Sequence, residues 1–421
     1  MSASPHASAD ATPAPQRWLG WGFVLVYALG YTGTWLALLT PGLVSLALRL
    51  RQLSPVTATQ DLALVLSVGA IFAIVSNPVF GHLSDRTRSK YGRRRPWLIG
   101  GVLCGAAALL IIAHAESVAM VLAGWCLAQL AFNAVLAAMV AILPDQVPEE
   151  QRGTVSGVIA ICLPLGQALG TLVVRGVSES TMLVFMAPAA LGTMAVLLLA
   201  WALPDRGTAM EPARSQSWRD VVGIFWLDPR AHPDFAWACL SRFLLAVGST
   251  FITAYQPYYL IEDLGFAEAE VPGRVSQAVV VQTVLMVVFG LLSGKLSDVL
   301  RRRKVFVVTG GALYGIGLWL IAGAGSYETF IAGMAIIGMG HGMYFGTDLA
   351  LVTGVLRSRQ HASGKDLGLL NVANTLPQSF TPALGALLLQ GSGGNYTILF
   401  LIAGCSALLS SLAILPLRSV R

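Results

Sequence analysis

Charge is scarce in this sequence. Only 11% of its 421 residues are Asp, Glu, Lys or Arg, against 55% hydrophobic. So few ionic side chains cannot cover a water-soluble globule of this size, and the solvent must be largely lipid. Cysteine is sparse as well: Cys104, Cys126, Cys162, Cys239 and Cys405 all lie inside apolar segments, with no CxxC and no Cys/His spacing. That excludes a disulfide framework and a zinc cluster and leaves buried, reduced thiols. Gly-x-x-x-x-Gly-Lys-Ser/Thr, His-Glu-x-x-His and Gly-x-Ser-x-Gly are all missing. An enzyme of those classes is excluded, and no motif calls for a cofactor or a metal. Residues 1–16 are polar and rich in Ala, Pro and Ser, without the basic-then-apolar order of a cleavable signal. They are expected to form a disordered cytoplasmic tail.

What is present is a series of apolar runs, each about 20 residues or longer, the length that crosses a bilayer as a helix. Twelve emerge: 20–48, 61–84, 96–114, 118–143, 153–175, 181–203, 234–261, 274–298, 304–325, 328–356, 365–390 and 395–416. The formal net charge of +6 does not point to nucleic acid, because the Lys and Arg residues fall in short loops between the runs. With the N-terminus inside, inner segments hold 21 of them and outer loops 4, Arg49, Arg51, Arg175 and Arg274. Such a bias sets a multi-pass topology with both termini cytoplasmic, in a plasma or inner membrane. The predicted fold is all-α, with two pseudo-symmetric six-helix bundles at 17–203 and 234–417, a cytoplasmic linker at 204–233, and a short tail at 418–421. An amphipathic stretch of that linker, Trp218 to Trp226, is expected to lie at the interface.

The halves repeat. Gly81–Asp85 reads GHLSD at the end of the second run and Gly294–Asp298 reads GKLSD at the end of the eighth, each followed by a basic cluster, Arg93–Arg95 and Arg301–Lys304. A duplicated element at equivalent positions marks a two-bundle carrier. The small Gly lets helices approach, and an acidic helix end can pair with Arg across the bundle interface in one conformation and release it in another. Gly81, Asp85, Arg86, Gly92, Arg93, Arg94, Arg95, Asp145, Arg152, Gly294, Asp298 and Arg302 are therefore the candidate cytoplasmic gate.

Gly-x-Leu-Ser-Asp followed by a basic loop resembles the conserved loop of the major facilitator superfamily. The stretch NPVFGHLSDRTRSKYGRRRPW, Asn77 to Trp97, is more specifically similar to the glycoside-pentoside-hexuronide cation symporter family and its sucrose-transporter-like relatives, and so is LPDQVPEEQRGTVSGV, Leu143 to Val158. The resemblance implies sugar transport, usually coupled to a cation. One departure bears on the ion. The sodium-coupled branch carries Asp-x-x-x-Asp-Pro on the second helix, where this chain has Ala73 and Asn77 before Pro78. A neutral pair cannot build a site for a hard cation, which favours a proton-coupled or uncoupled mechanism.

Polar groups inside apolar runs point to a transport path, because lipid-facing ones would be left unsatisfied. On the tenth run His341, Tyr344, Phe345 and Asp348 share a face. Asp348 is the leading proton-carrier candidate and His341 the second. The alternative is that Asp348 makes a structural pair with Arg242 of the seventh run. Candidate solute ligands are Tyr27, Tyr31 and Trp35 on the first, Gln129 and Asn133 on the fourth, and Gln167 on the fifth. Thr253 and Gln256 on the seventh, Tyr344 on the tenth, and Asn371, Asn374 and Gln378 on the eleventh complete the set. Aromatic rings mixed with amides suit a neutral, polyhydroxylated small molecule such as a sugar. The expected function is alternating-access transport by a monomer in the lipid bilayer. With no phosphate-binding loop, uphill transport must draw on an ion gradient, and the expected coupling ion is the proton.

The competing expectation is a proton-antiport exporter of drugs or metabolites in the same superfamily. Such exporters usually carry an Arg in the fourth helix and a Gly-Pro pair in the fifth. Here the fourth run has no Lys or Arg, and Thr171 follows Gly170 where Pro would stand.

Overall fold

A computed structural model describes residues 20–204, 233–357 and 364–417. The tail at 1–16, nearly all of the linker including its amphipathic stretch, and the last four residues lie outside the described residues. Within these limits the chain is all helical: α1 Trp21–Leu53, α2 Ala58–Arg86, α3 Arg95–Ala113, α4 Val118–Gln146, α5 Glu149–Gly176 and α6 Leu183–Ala202, followed by α7 Pro233–Glu262, α8 Val271–Leu300, α9 Arg303–Ala322, α10 Tyr327–Arg357, α11 Gly364–Gly391 and α12 Tyr396–Ile414. Ten of these are long and apolar enough to cross a membrane on their described residues; α10 and α11 include residues outside that description.

Each expected apolar run corresponds to one helix, and the boundary that differs most is the end of the first. A stop near residue 48 is expected, yet α1 continues to Leu53 through a π-helical turn at Pro41–Ser45. Pro41 cannot donate to the carbonyl four residues back, and the wider turn absorbs the mismatch without ending the helix. The Thr40 hydroxyl donates to the Leu36 carbonyl at 2.6 Å, satisfying a group beside the defect.

Helices that share lipid as solvent gain little from hydrophobic burial and associate through close packing. Gly33 of α1 and Gly192 of α6 meet backbone to backbone, and a Cβ on Gly33 would lie 3.2 Å from the Gly192 Cα. In the second half, Gly342 and Gly346 of α10 abut Met286 and Gly290 of α8, leaving no room for a side chain. Gly166 and Gly170 of α5 face α1 in the same way, against Thr32, Leu36 and Thr40. Their spacing is explained by helix packing.

Helices α1–α6 pack among themselves, as do α7–α12, and the two sets meet chiefly along α2 with α11 and α5 with α8. The end that carries the loops after α2 and α8 is called the basic end below.

Candidate transport site

The centre of the site is an ion pair inside the second bundle. The Arg242 Nε of α7 donates to Asp348 Oδ2 of α10 at 2.6 Å, and its Nη2 contacts the same oxygen. Asp348 is completely buried, and its other oxygen, Oδ1, finds no hydrogen-bond partner among the described residues. A carboxylate sealed from water is costly unless a cation compensates it, so the two groups hold each other in place. Beside them the Tyr344 hydroxyl shares a 2.9 Å bond with Ser241, which also donates to the Ser410 carbonyl of α12 at 2.9 Å. Three helices are thereby tied around the pair.

His341, the second proton-carrier candidate, is not hydrogen-bonded to Asp348. Its Nδ1 is buried and has no partner among the described residues. Phe345 packs 4.8 Å from the imidazole and lies 6.0 Å from the Arg242 guanidinium carbon, while the Tyr314 ring meets the imidazole edge-on at 5.3 Å. The shared helical face is present, and Phe345 packs against both the imidazole and the guanidinium of the pair.

The expected solute ligands divide into two groups. Tyr27 is 1% exposed and its hydroxyl donates to the Met139 carbonyl at 2.6 Å, so its one donor is engaged in this structure. Tyr344 is fully buried, its hydroxyl bonded to Ser241. Thr253 returns its hydroxyl to the Ser249 carbonyl. The remainder keep polar groups in reserve. Asn133 Nδ2 donates to both the Gln129 carbonyl and its Oε1, at 2.8 and 3.2 Å, so the i, i+4 pair acts as one unit. Gln256 is buried, with Oε1 unpartnered among the described residues. Trp35, Gln167 and Asn374 are half-buried and Gln378 is exposed, while Tyr31 is buried edge-on against Tyr27. Asn371 lies on α11, and its side chain falls outside the described residues.

At the basic end the gate candidates form a cluster inside the first bundle. Arg94 pairs with Asp85 at 2.7 Å and Asp145 at 2.9 Å, and Arg93 reaches Asp145 at 3.2 Å. Arg94 is nearly buried and also donates to the Ser84 hydroxyl at 2.5 Å. Arg95 donates to the Leu203 carbonyl, fixing α3 to the end of α6. Arg152 donates to the Val147 and Pro144 carbonyls and pairs with Glu149. Gly92 adopts φ 98°, a left-handed turn that favours glycine, and so aims the following arginines at the carboxylates. In the second bundle Asp298 pairs with Arg303 at 2.9 Å rather than with Arg302. Among the described residues, none of the gate acids in these pairs meets an arginine of the other bundle. These pairs each stay within one bundle.

Bonds between the bundles instead gather at the opposite end. Arg51 of α1 pairs with Glu262 and Glu268 at 2.7 Å each. The Tyr258 hydroxyl of α7 lies 3.0 Å from the Ala47 carbonyl and 3.1 Å from that of Ala58, spanning the turn between α1 and α2. Glu262 also accepts from the Tyr396 hydroxyl at 2.8 Å. This fastening was missed by sequence reasoning, which counted Arg51 among the few outer-loop cations. A basic residue in the last turn of a helix on the cation-poor side was the available signal. This end is fastened by bonds that join the two bundles, the kind of contact that forms and releases in an alternating-access cycle.

Twelve helices in two packed sets, a buried charge pair and an end-specific fastening define a polytopic helical membrane transporter. A family model, that of the Major Facilitator Superfamily, matches residues 20–364 and again 238–421. The chain belongs to that superfamily. Among solved structures it is similar to the D-xylose-proton symporter, with a TM-score of 0.71 at 14% identity over 94% of this chain and 98% of that one. It is also similar to the nucleoside transporter NupG, with a TM-score of 0.71 at 14% identity over 93% and 99%. At these identities the likeness is one of fold. Curated relatives include an uncharacterized symporter of Synechocystis sp., 54% identical over 39 residues, which is 9% of this chain and 7% of that protein. The sucrose transport protein SUC4 of Arabidopsis thaliana is 30% identical over 121 residues, 24% of each chain. The matched stretches thus span a quarter or less of these relatives' length.

Proposed function

We propose that this transporter imports a small polyhydroxylated solute, a sugar or glycoside, together with a proton. Both termini would be cytoplasmic in a plasma or inner membrane, with the basic end facing the cytoplasm. The observation that carries the reading is the Asp348–Arg242 pair, buried inside the second bundle with one carboxylate oxygen unpartnered. Protonating Asp348 removes its charge and releases Arg242, so the pair is a two-state element whose state depends on a proton. Coupling then follows if solute binding and release occur with the pair in different states. The amides on α4, α7 and α11 and the aromatic rings of Tyr31 and Trp35 on α1 match the hydroxyls and C–H faces of a sugar. The short match to a sucrose transport protein supports the same solute class.

The test is uptake of radiolabelled sucrose and other disaccharides into proteoliposomes under an imposed pH gradient, a sodium gradient or neither. Accumulation above the external concentration is expected only with the inward proton gradient. Asp348→Asn should abolish accumulation while leaving downhill exchange, because the amide preserves shape without a titrating group. Undiminished accumulation by Asp348→Asn would remove that residue from the coupling mechanism, and expulsion of preloaded sugar would reverse the direction.

A further inference from the structure

The motif repeat is symmetric in sequence, but what it packs against is not. In the first bundle the residue before GHLSD is Phe80, and its ring packs 5.6 Å from Trp97 of α3, whose indole donates to the Thr87 hydroxyl at 2.7 Å. The two rings fill the space between α2 and α3 beside the basic loop. In the second bundle the corresponding positions, matched on the shared motif and basic cluster, are Ser293 and Val305. Both are small, and a crevice of about 440 Å³ remains. Phe289, Leu292, Leu296 and Val299 of α8 and Phe306 of α9 form its walls, and Met343 of α10 lies against it as well. Its wall is apolar and turned outward, with Leu292 57% and Val299 79% exposed, so it opens on hydrocarbon.

Beside the buried Ser293, a cation lines this crevice. Lys295 lines it where the first copy of the motif has His82. Lys295 is exposed and holds no ion pair among the described residues, since Asp298, one turn on, is engaged by Arg303. Arg301 and Arg302, also exposed, lie in the loop between the lining residues Val299 and Phe306. A lysine stem laid along an apolar wall brings its ammonium to headgroup depth. Basic pockets between transmembrane helices on that side attract anionic headgroups.

We propose that this crevice is a binding site for an anionic phospholipid, one acyl chain lying between α8 and α9 and the phosphate held by Lys295 and Arg302. Chain burial supplies affinity and the unpaired cations supply selectivity for a net negative headgroup. A zwitterionic lipid would bring its own positive charge to the same place.

Native mass spectrometry of the full-length protein tests this, with equimolar dioleoylphosphatidylglycerol and dioleoylphosphatidylcholine added to the detergent micelle. One phosphatidylglycerol should be retained with a preference of about tenfold. Lys295→Gln should cut that preference to about threefold or less. Val299→Trp, a bulky ring at a highly exposed position of the crevice wall, should reduce retention of both lipids by blocking the chain. Equal retention of the two lipids by the unaltered protein would overturn the proposal, as would full selectivity in Lys295→Gln. So would displacement of bound lipid by inorganic phosphate, which would show a headgroup site without a chain.

Discussion

Asp348 and Arg242 are each a liability without the other. Removing one partner of a buried pair leaves an uncompensated charge and costs about 3–5 kcal/mol, whereas replacing both with apolar groups is often neutral or better. Arg242→Met is therefore expected to lower the thermal unfolding midpoint of the purified protein sharply, and Arg242→Met combined with Asp348→Leu to recover most of the loss. A double variant no more stable than the single one would mean that the pair contributes nothing to the fold. The pair was readable from residue types, since a carboxylate in an apolar run has few partners and Arg242 is the one cation inside the seventh run. The roles of Tyr27 and Tyr344 were not readable. A tyrosine that faces a cavity and one that bonds a carbonyl on a neighbouring helix have the same spacing and the same hydropathy. Only the register between helices, which the sequence does not encode locally, decides which carbonyl is within 2.6 Å.

At the scale of helices, α8 and α10 are held at backbone distance by glycine. A side chain at Gly342 would begin 2.8 Å from the Gly290 nitrogen, a contact that backbone cannot relieve. Gly342→Leu should destabilise by more than the 1–3 kcal/mol typical of overpacking and yield little monodisperse protein on size exclusion. Gly100→Leu on α3, where nothing lies within 4 Å, should behave as the unaltered chain. Equal behaviour of the two variants would show that close approach of α8 and α10 is dispensable. The helices themselves were legible because bilayer thickness imposes a length that few other constraints produce. The continuation of α1 from residue 48 to Leu53 was not, because Arg49 and Arg51 end the apolar run while the helix carries on. Neither was the π turn at Pro41–Ser45, which depends on what packs around it.

For the molecule as a whole, the two ends carry different kinds of bond. The cluster of Asp85, Arg93, Arg94 and Asp145 stiffens the first bundle at the basic end, so Asp85→Ala, which frees one contact of a nearly buried arginine, should slow turnover more than it weakens equilibrium solute binding. A loss of binding with fast exchange retained would contradict that assignment. The opposite end is fastened by Arg51, and Arg51→Ala should shift the protein toward opening there, raising maleimide labelling of a cysteine introduced at Ala47. Partly exposed ion pairs contribute about 0.2–1 kcal/mol each, so the loss of both should change the population by about twofold to thirtyfold. Unchanged labelling would mean that Tyr258 alone keeps that end shut. The smallness of these energies has its own consequence. A closure made of one shared phenol hydrogen and two solvent-screened ion pairs can be undone by thermal motion whenever cargo chemistry removes a comparable amount of free energy, so the molecule can reverse itself many times without a dedicated energy-consuming domain.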